Sequence, residues 1–265
     1  MVIDGQRTLI EDDIKNVISD YLNERTLGFV RRDNILFLNT NKVQRTIKKE
    51  LPKIQDIDIR IEDGDILMVT IGERMAHSLW CLNKQYESIF DEECYFADQD
   101  GLLYARAPYF SGNVYMKFFT EPVHEDEQEI NYIGTKVEVI DSFGNFFDFL
   151  EALELEYPID ITRVSFDNFD DVTLEISRLQ NKIYNETKPV IRYNQSNNYK
   201  KVLRNIGVIL SFEDFKEDFS YRPSALESID VRFKGRVFYT FTPIGGRTET
   251  KNEKTIETIK EVLSE

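Results

Sequence analysis

The side chains best suited to bond-making or metal chemistry in this chain are few: two cysteines, Cys81 and Cys94, and two histidines, His77 and His124. The cysteines bracket a polar stretch of 12 residues that ends in the acidic run Asp91, Glu92 and Glu93. A zinc centre here would draw on His77, Cys81, Cys94 and a carboxylate. Structural zinc favours Cys-x2–4-Cys pairs, and the sequence contains none, so no metal is expected. Neither histidine stands in a spacing that pairs it with a nucleophilic serine or cysteine, and no catalytic residue is assigned. "DQDG", Asp98 to Gly101, resembles the start of a calcium loop but lacks the third acidic position and the distal glutamate; a hairpin turn accounts for it better. "PIGGR" at 243–247 lacks the Lys-Ser/Thr pair and the helix of a phosphate loop. No cofactor is implied. The acidic run reads as a solvated loop, and paired-carboxylate hydrolysis involving Asp98 or Asp100 stays open as an alternative chemistry.

Cys81 follows Trp80 and Cys94 precedes Tyr95, so both cysteines sit in apolar, strand-like runs. Two neighbouring strands would place their Cα atoms within the ~5.5 Å that a disulfide favours. Closing a ~15-residue loop stabilises a fold by about 3 kcal/mol in the chain-entropy model. Two ordinary buried thiols are the alternative. A bridge would mean an oxidising compartment outside the cytoplasm.

The elements that must position these residues begin from composition. With 265 residues, 41% of them hydrophobic, the chain can bury the core of one large or two ordinary domains. A net charge of -15 repels phosphate backbones and anionic headgroups, which argues against nucleic acid as a partner. No run approaches the ~20 apolar residues of a membrane helix, and the N-terminus lacks a signal-peptide profile. After a short strand at Val2-Ile3 and a turn at Asp4-Gly5, Thr8 and Glu11 have capping-box spacing. Ile14, Val17, Ile18, Tyr21 and Leu22 then form one helical stripe. Thr40 or Asn41 can cap a second helix, lined by Val43, Ile47 and Leu51 and stopped by Pro52. Ile57, Ile59 and Ile61, a turn at "EDGD", and Leu67, Val69 and Ile71 alternate as a hairpin. The order strand-helix-helix-strand-strand predicts an α+β unit with its helices on one sheet face.

From residue 73 short strand-like runs dominate: 78–82, 93–97, 102–106, 114–119, 135–140, 161–166, 171–176, 188–193 and 229–241. They predict a second, mainly antiparallel β domain. Two helical inserts interrupt it, one marked by Phe143, Phe146, Phe147, Leu150 and Leu153. The other has Ser196 as cap, a stripe of Tyr199, Val202, Leu203 and Ile206, and Gly207 as stop. The expected boundaries are 1–72, 73–245 and a polar tail over 246–265.

With these elements in order, several short motifs resemble one family. "GERMAHSLW" (72–80), "CYFADQDGLLYARAP" (94–108) and "SIDVRFKGRVFYTF" (228–241) are similar in order and spacing to segments of the FtsQ/DivIB cell-division proteins. Glu73, Arg74, Ala76, Trp80, Asp98, Gly101 and Tyr104 occupy the positions of the first two motifs. Ile229, Asp230, Arg232, Phe233 and Val237 occupy those of the third. The resemblance covers residues 1 to about 241 and implies that the first unit is a POTRA domain. The WC…CY pair resembles a subset of divergent relatives, which agrees with the disulfide. The family further implies a non-enzymatic divisome scaffold that binds FtsB/FtsL-type proteins on the extracytoplasmic face of the bacterial cytoplasmic membrane, at the division septum. Family members carry a membrane helix directly before the POTRA domain, so an anchor is expected upstream of Met1 in the native gene. A POTRA-bearing secretion or outer-membrane assembly factor and an extracytoplasmic hydrolase are the alternatives.

The C-terminal motif also suggests how a partner would bind. If "RVFYTF" is the last strand of its sheet, one row of backbone groups is open to strand addition. Phe233, Arg236, Val237, Phe238, Tyr239, Thr240 and Phe241 are the candidate contact residues. A proline at Thr240 is expected to block the edge without unfolding the domain.

Overall fold

The computed structural model describes residues 1–23, 25–26, 30–31, 39–63, 66–82, 92–110, 114–120, 131–138, 140, 143–167, 170–186, 188–233 and 235–242. Asp91, His124, the glycine pair of 243–247 and the tail 246–265 lie outside them. The chain is α+β, with five helices among the described residues and mixed, mostly antiparallel sheets, and it divides into two units. The first comprises Met1–His77, Tyr95–Ala107 and Glu129–Val137; the second comprises Ser78–Cys94, Pro108–Gln128 and Glu138–Glu265. Residues 95–107, which the sequence groups with the later strands, thus belong with the N-terminal region. Periodicity reports which face of a strand is buried, not which neighbour buries it.

In the first unit β1 (Val2–Asp4) leads to α1 (Glu11–Asn23), a short pair β2 (Arg25–Thr26) and β3 (Val30–Arg31), then α2 (Thr40–Glu50), β4 (Ile54–Glu62) and β5 (Ile66–Glu73). The sheet order is β1-β5-β4, with β1 parallel and β4 antiparallel to β5. Ile59 stands opposite Val69, so the alternating residues of the hairpin share a face. Ile14, Ile18 and Tyr21 of α1 and Val43 and Ile47 of α2 pack there with Ile3, Ile54, Val69 and Ile71. Burying each such side chain stabilises the fold by roughly 1.5–3 kcal/mol.

The helix starts differ from the local signals. Asn39, one residue before the expected cap, accepts from the Lys42 N–H at 3.1 Å. Thr8 does not cap α1, because its hydroxyl donates to Glu73, while Glu11 pairs with Lys15 at 2.7 Å. A carboxylate arriving from the end of β5 offers stronger, charge-assisted bonds than the local box.

β7 (Cys94–Ala97) and β8 (Leu103–Ala107) form a hairpin around the Asp98 turn. In the second unit β6 (Ser78–Leu82) and β9 (Lys117–Thr120) precede α3 (Phe143–Glu156), β10 (Ile159–Phe166), β11 (Asp171–Leu179), β12 (Lys182–Ile183) and β13 (Val190–Asn194). Then come α4 (Tyr199–Ser211), α5 (Glu213–Tyr221), β14 (Leu226–Asp230) and β15 (Phe238–Phe241). The strand order is β15-β14-β13-β11-β10-β9-β6, with β12 beside β11. Pairs β6·β9, β9·β10 and β13·β14 are parallel, so the expected antiparallel sheet is mixed. The helical inserts explain two of these pairs: α3 lies between β9 and β10, and α4 with α5 between β13 and β14, while β7 and β8 lie between β6 and β9. A parallel pair requires such a crossover.

Three helices occur where two were expected. Asn198 rather than Ser196 caps α4, its side chain accepting from the Lys200 N–H at 2.9 Å. Gly207 does not stop the helix, which continues through Val208-Ile209-Leu210. A Cβ on Gly207 would stand 2.2 Å from the Tyr157 hydroxyl, so the missing side chain makes room for that ring. Helix α5 was legible in Phe212, Phe215 and Phe219 with Glu213 and Asp214 in the first turn. Phe215 is buried against Tyr239 and Phe241.

Candidate functional site

The motif residues of the first unit gather into two polar clusters. Glu73, at the end of β5, accepts from the backbone N–H groups of Arg7 (2.6 Å), Thr8 (2.8 Å) and Leu9 (2.9 Å) and from the Thr8 hydroxyl. Burial alone would raise its carboxyl, but the bonds from Leu9, Thr8 and Arg7 outweigh it and hold the group at about 2. Arg74 follows, with Nε on the Pro52 carbonyl at 2.8 Å and Nη1 on the carboxylate of Asp98. Asp98 is buried, and its Oδ1 also accepts from the N–H groups of Asp100 and Leu102, each at 2.9 Å. Gly101 completes this turn, its N–H donating to the Asp98 carbonyl at 3.1 Å. Both Asp98 oxygens are therefore committed to holding backbone and Arg74, so the "DQDG" segment is a hairpin turn that ties the β4 start to the β7–β8 hairpin.

In the second unit Cys81 and Cys94 are joined by a disulfide, with their Cα atoms 4.0 Å apart. Trp80, beside Cys81, is buried between Phe118 and Phe166, and its Nε1 donates to Thr120 at 3.0 Å. Among the described residues, Glu92 is grouped with the two sulfurs, its carboxylate oxygen within 4.8 Å of each, and His77 is not in that group. Glu92 pairs with Lys117 at 2.5 Å.

The third motif lies at the end of the sheet, and there the expected single run is two strands. Gly235, at φ 73°, turns the chain between β14 and β15, a conformation that glycine adopts without strain. Arg232 forks onto Asp230 through Nε and Nη2 and reaches Asp171 through Nη1 at 2.7 Å. The bonds to Asp230 and then Asp171 push its guanidinium up despite partial burial. Val237, Tyr239 and Phe241 are buried, while Arg236 is exposed and Thr240 half-buried. Phe233 is 49% exposed, stacks edge-to-face with half-buried Phe238 at 5.3 Å, and has the Arg232 guanidinium 5.5 Å from its ring. Of the seven candidate contacts, three are thus core and two form an outward aromatic pair.

Among the described residues no strand pairs with the far side of β15. Its donors can be assigned. The Thr242 N–H donates to the Ala225 carbonyl at 2.7 Å, on the β14 side. N–H directions alternate along a strand, so that of Thr240 points the same way, into the β14 ladder, and those of Tyr239 and Phe241 point to the open edge. A proline at Thr240 would break the internal ladder rather than block a partner, which corrects the expectation drawn from the sequence.

Asp171, which anchors Arg232 from 61 residues away, and the Glu92–Lys117 pair had no local sequence signal. The Phe233–Phe238 pair joins the loop after β14 to the start of β15, where Phe238 stands opposite Asp230. Compared with known families and with curated proteins, the chain matches no family model and no curated protein.

Proposed function

We propose that this chain is a non-enzymatic divisome scaffold of the FtsQ/DivIB type, whose first unit is a POTRA domain and whose second unit captures FtsB/FtsL-like division proteins outside the cytoplasmic membrane. Partner capture is by strand addition at β15, and it couples the partner to septum formation. The observation that carries this reading is the far side of β15, which no strand pairs among the described residues, with the Tyr239 and Phe241 N–H groups directed outward and the Phe233–Phe238 pair beside them. The element order over residues 2–73 supports the POTRA assignment, and the Cys81–Cys94 disulfide supports an oxidising compartment. Aromatic side chains flanking an open edge supply apolar contact to an added strand whose backbone supplies register.

Fluorescence anisotropy with a labelled FtsB-like segment from the same genome tests this directly. Saturable binding is expected, weakened about tenfold by Phe233→Ala and by Phe238→Ala, as for aromatic interface residues generally. Leu155→Ala, at an exposed position on α3, should leave it unchanged. Failure of the segment to bind would overturn the proposal.

A further inference from the structure

The disulfide lies in a setting that a structural crosslink does not require. The ligand atoms of Cys81, Glu92 and Cys94 all fall within 4.8 Å of one another. Both cysteines are buried and Glu92 is half-buried. Lys117 donates to one oxygen of Glu92 at 2.5 Å, which leaves the second oxygen of that carboxylate to another partner. Arg163, stacked with its Cζ 3.3 Å from the Phe119 ring centre, adds a second cation whose field reaches Glu92. Cys81 lies in β6, Cys94 in β7 and Glu92 in the segment leading into β7, where the Leu82 N–H donates to the Glu93 carbonyl at 3.0 Å.

We propose that, once reduced, Cys81, Cys94 and Glu92 form a three-donor site for a thiophilic divalent cation of the zinc class, and that the disulfide is its oxidised, metal-free state. A dithiol reductant would carry out the switch: two electrons and two protons pass to the Cys81–Cys94 bond, giving two thiols, and the dithiol leaves as its own disulfide. The cation then displaces both thiol protons to solvent. Zinc bound tetrahedrally by two thiolates at about 2.3 Å sets the sulfurs about 3.8 Å apart, farther than two bonded sulfurs, so the bridge must be broken before the cation enters. Two thiolates and one carboxylate carry three negative charges, which the divalent cation and Lys117 neutralise. The fourth position is left to water, as in sites that keep one open. The inference does not rest on partner capture at β15: cobalt binding by the reduced chain and peptide binding at β15 are separate measurements, so either can fail alone.

Cobalt titration of the full chain, reduced with a phosphine under anaerobic conditions, tests it. One equivalent is expected to bind with a thiolate-to-cobalt charge-transfer band, to be displaced by zinc, and to release two protons into weakly buffered solution. The oxidised chain should show no band. Glu92→Gln, which still forms the disulfide, should weaken cobalt binding by about tenfold or more, in line with the loss of a supporting ligand. A reduced chain without the band, or a Glu92→Gln variant with unaltered affinity, would overturn the three-donor site.

Discussion

Glu73, Arg74 and Asp98 in the first unit and Phe233 and Phe238 in the second come from motifs of equal standing in the sequence, yet they face opposite ways. The charged trio spends its hydrogen bonds on the unit's own backbone: Glu73 on residues 7–9, Arg74 on Pro52, Asp98 on the turn after it. The aromatic pair is apolar and leaves area to solvent beside strand donors that have no strand partner among the described residues. Residue type by itself would have ranked these the other way round, because carboxylates and arginines suggest chemistry and phenylalanines suggest core. Position decides: a charge whose partners are backbone groups is a fastener, and an exposed ring at a strand edge is the proposed contact.

That contrast is broken most severely at Arg74. Arg74→Ala leaves the buried Asp98 carboxylate without its cation, and losing one partner of a buried pair costs about 3–5 kcal/mol. Urea denaturation should show that loss while the affinity for an FtsB-like segment in the folded protein stays unchanged. A change below about 1 kcal/mol would mean that the backbone donors alone satisfy Asp98.

Glu73 sharpens the same side through pH. Its carboxyl stands at about 2 against an ordinary 4.5, a depressed value, so its contribution is complete above the unfolded value and is lost as pH falls from 4.5 towards 2. At roughly 1.4 kcal/mol per unit this is about 3 kcal/mol. Glu73→Gln should remove that segment of the acid dependence in a stability titration; an unchanged acid profile would show that other carboxylates govern it. Reducing the disulfide, which spans 13 residues, should cost about as much, 3 kcal/mol in the chain-entropy model. Comparing thermal melts with and without reductant measures it, and coincident melts would contradict it.

The sequence made some of this fold legible and concealed the rest for identifiable reasons. The stripes of α1 and α2 and the alternation of β4 and β5 were readable because burial follows a local period. The start of α1 was not, since the group that takes Thr8 lies 65 residues away at Glu73. Strand runs were visible in the second unit, but their parallel pairing through α3 and through α4–α5 was not, because local patterns do not name neighbours. At the candidate site the last strand and its aromatics were apparent. Which donors it leaves open required the register of β14 against β15, and so the Thr240 proline was the wrong lever.

The central claim, that the far side of β15 receives a partner strand, is tested most directly by amide hydrogen exchange in the presence and absence of a bound FtsB-like segment. The Tyr239 and Phe241 amides should gain at least about tenfold protection on binding, while the Thr240 amide, on the β14 side, should change little. Saturated binding with no gain of protection at Tyr239 and Phe241 would contradict strand addition at this edge.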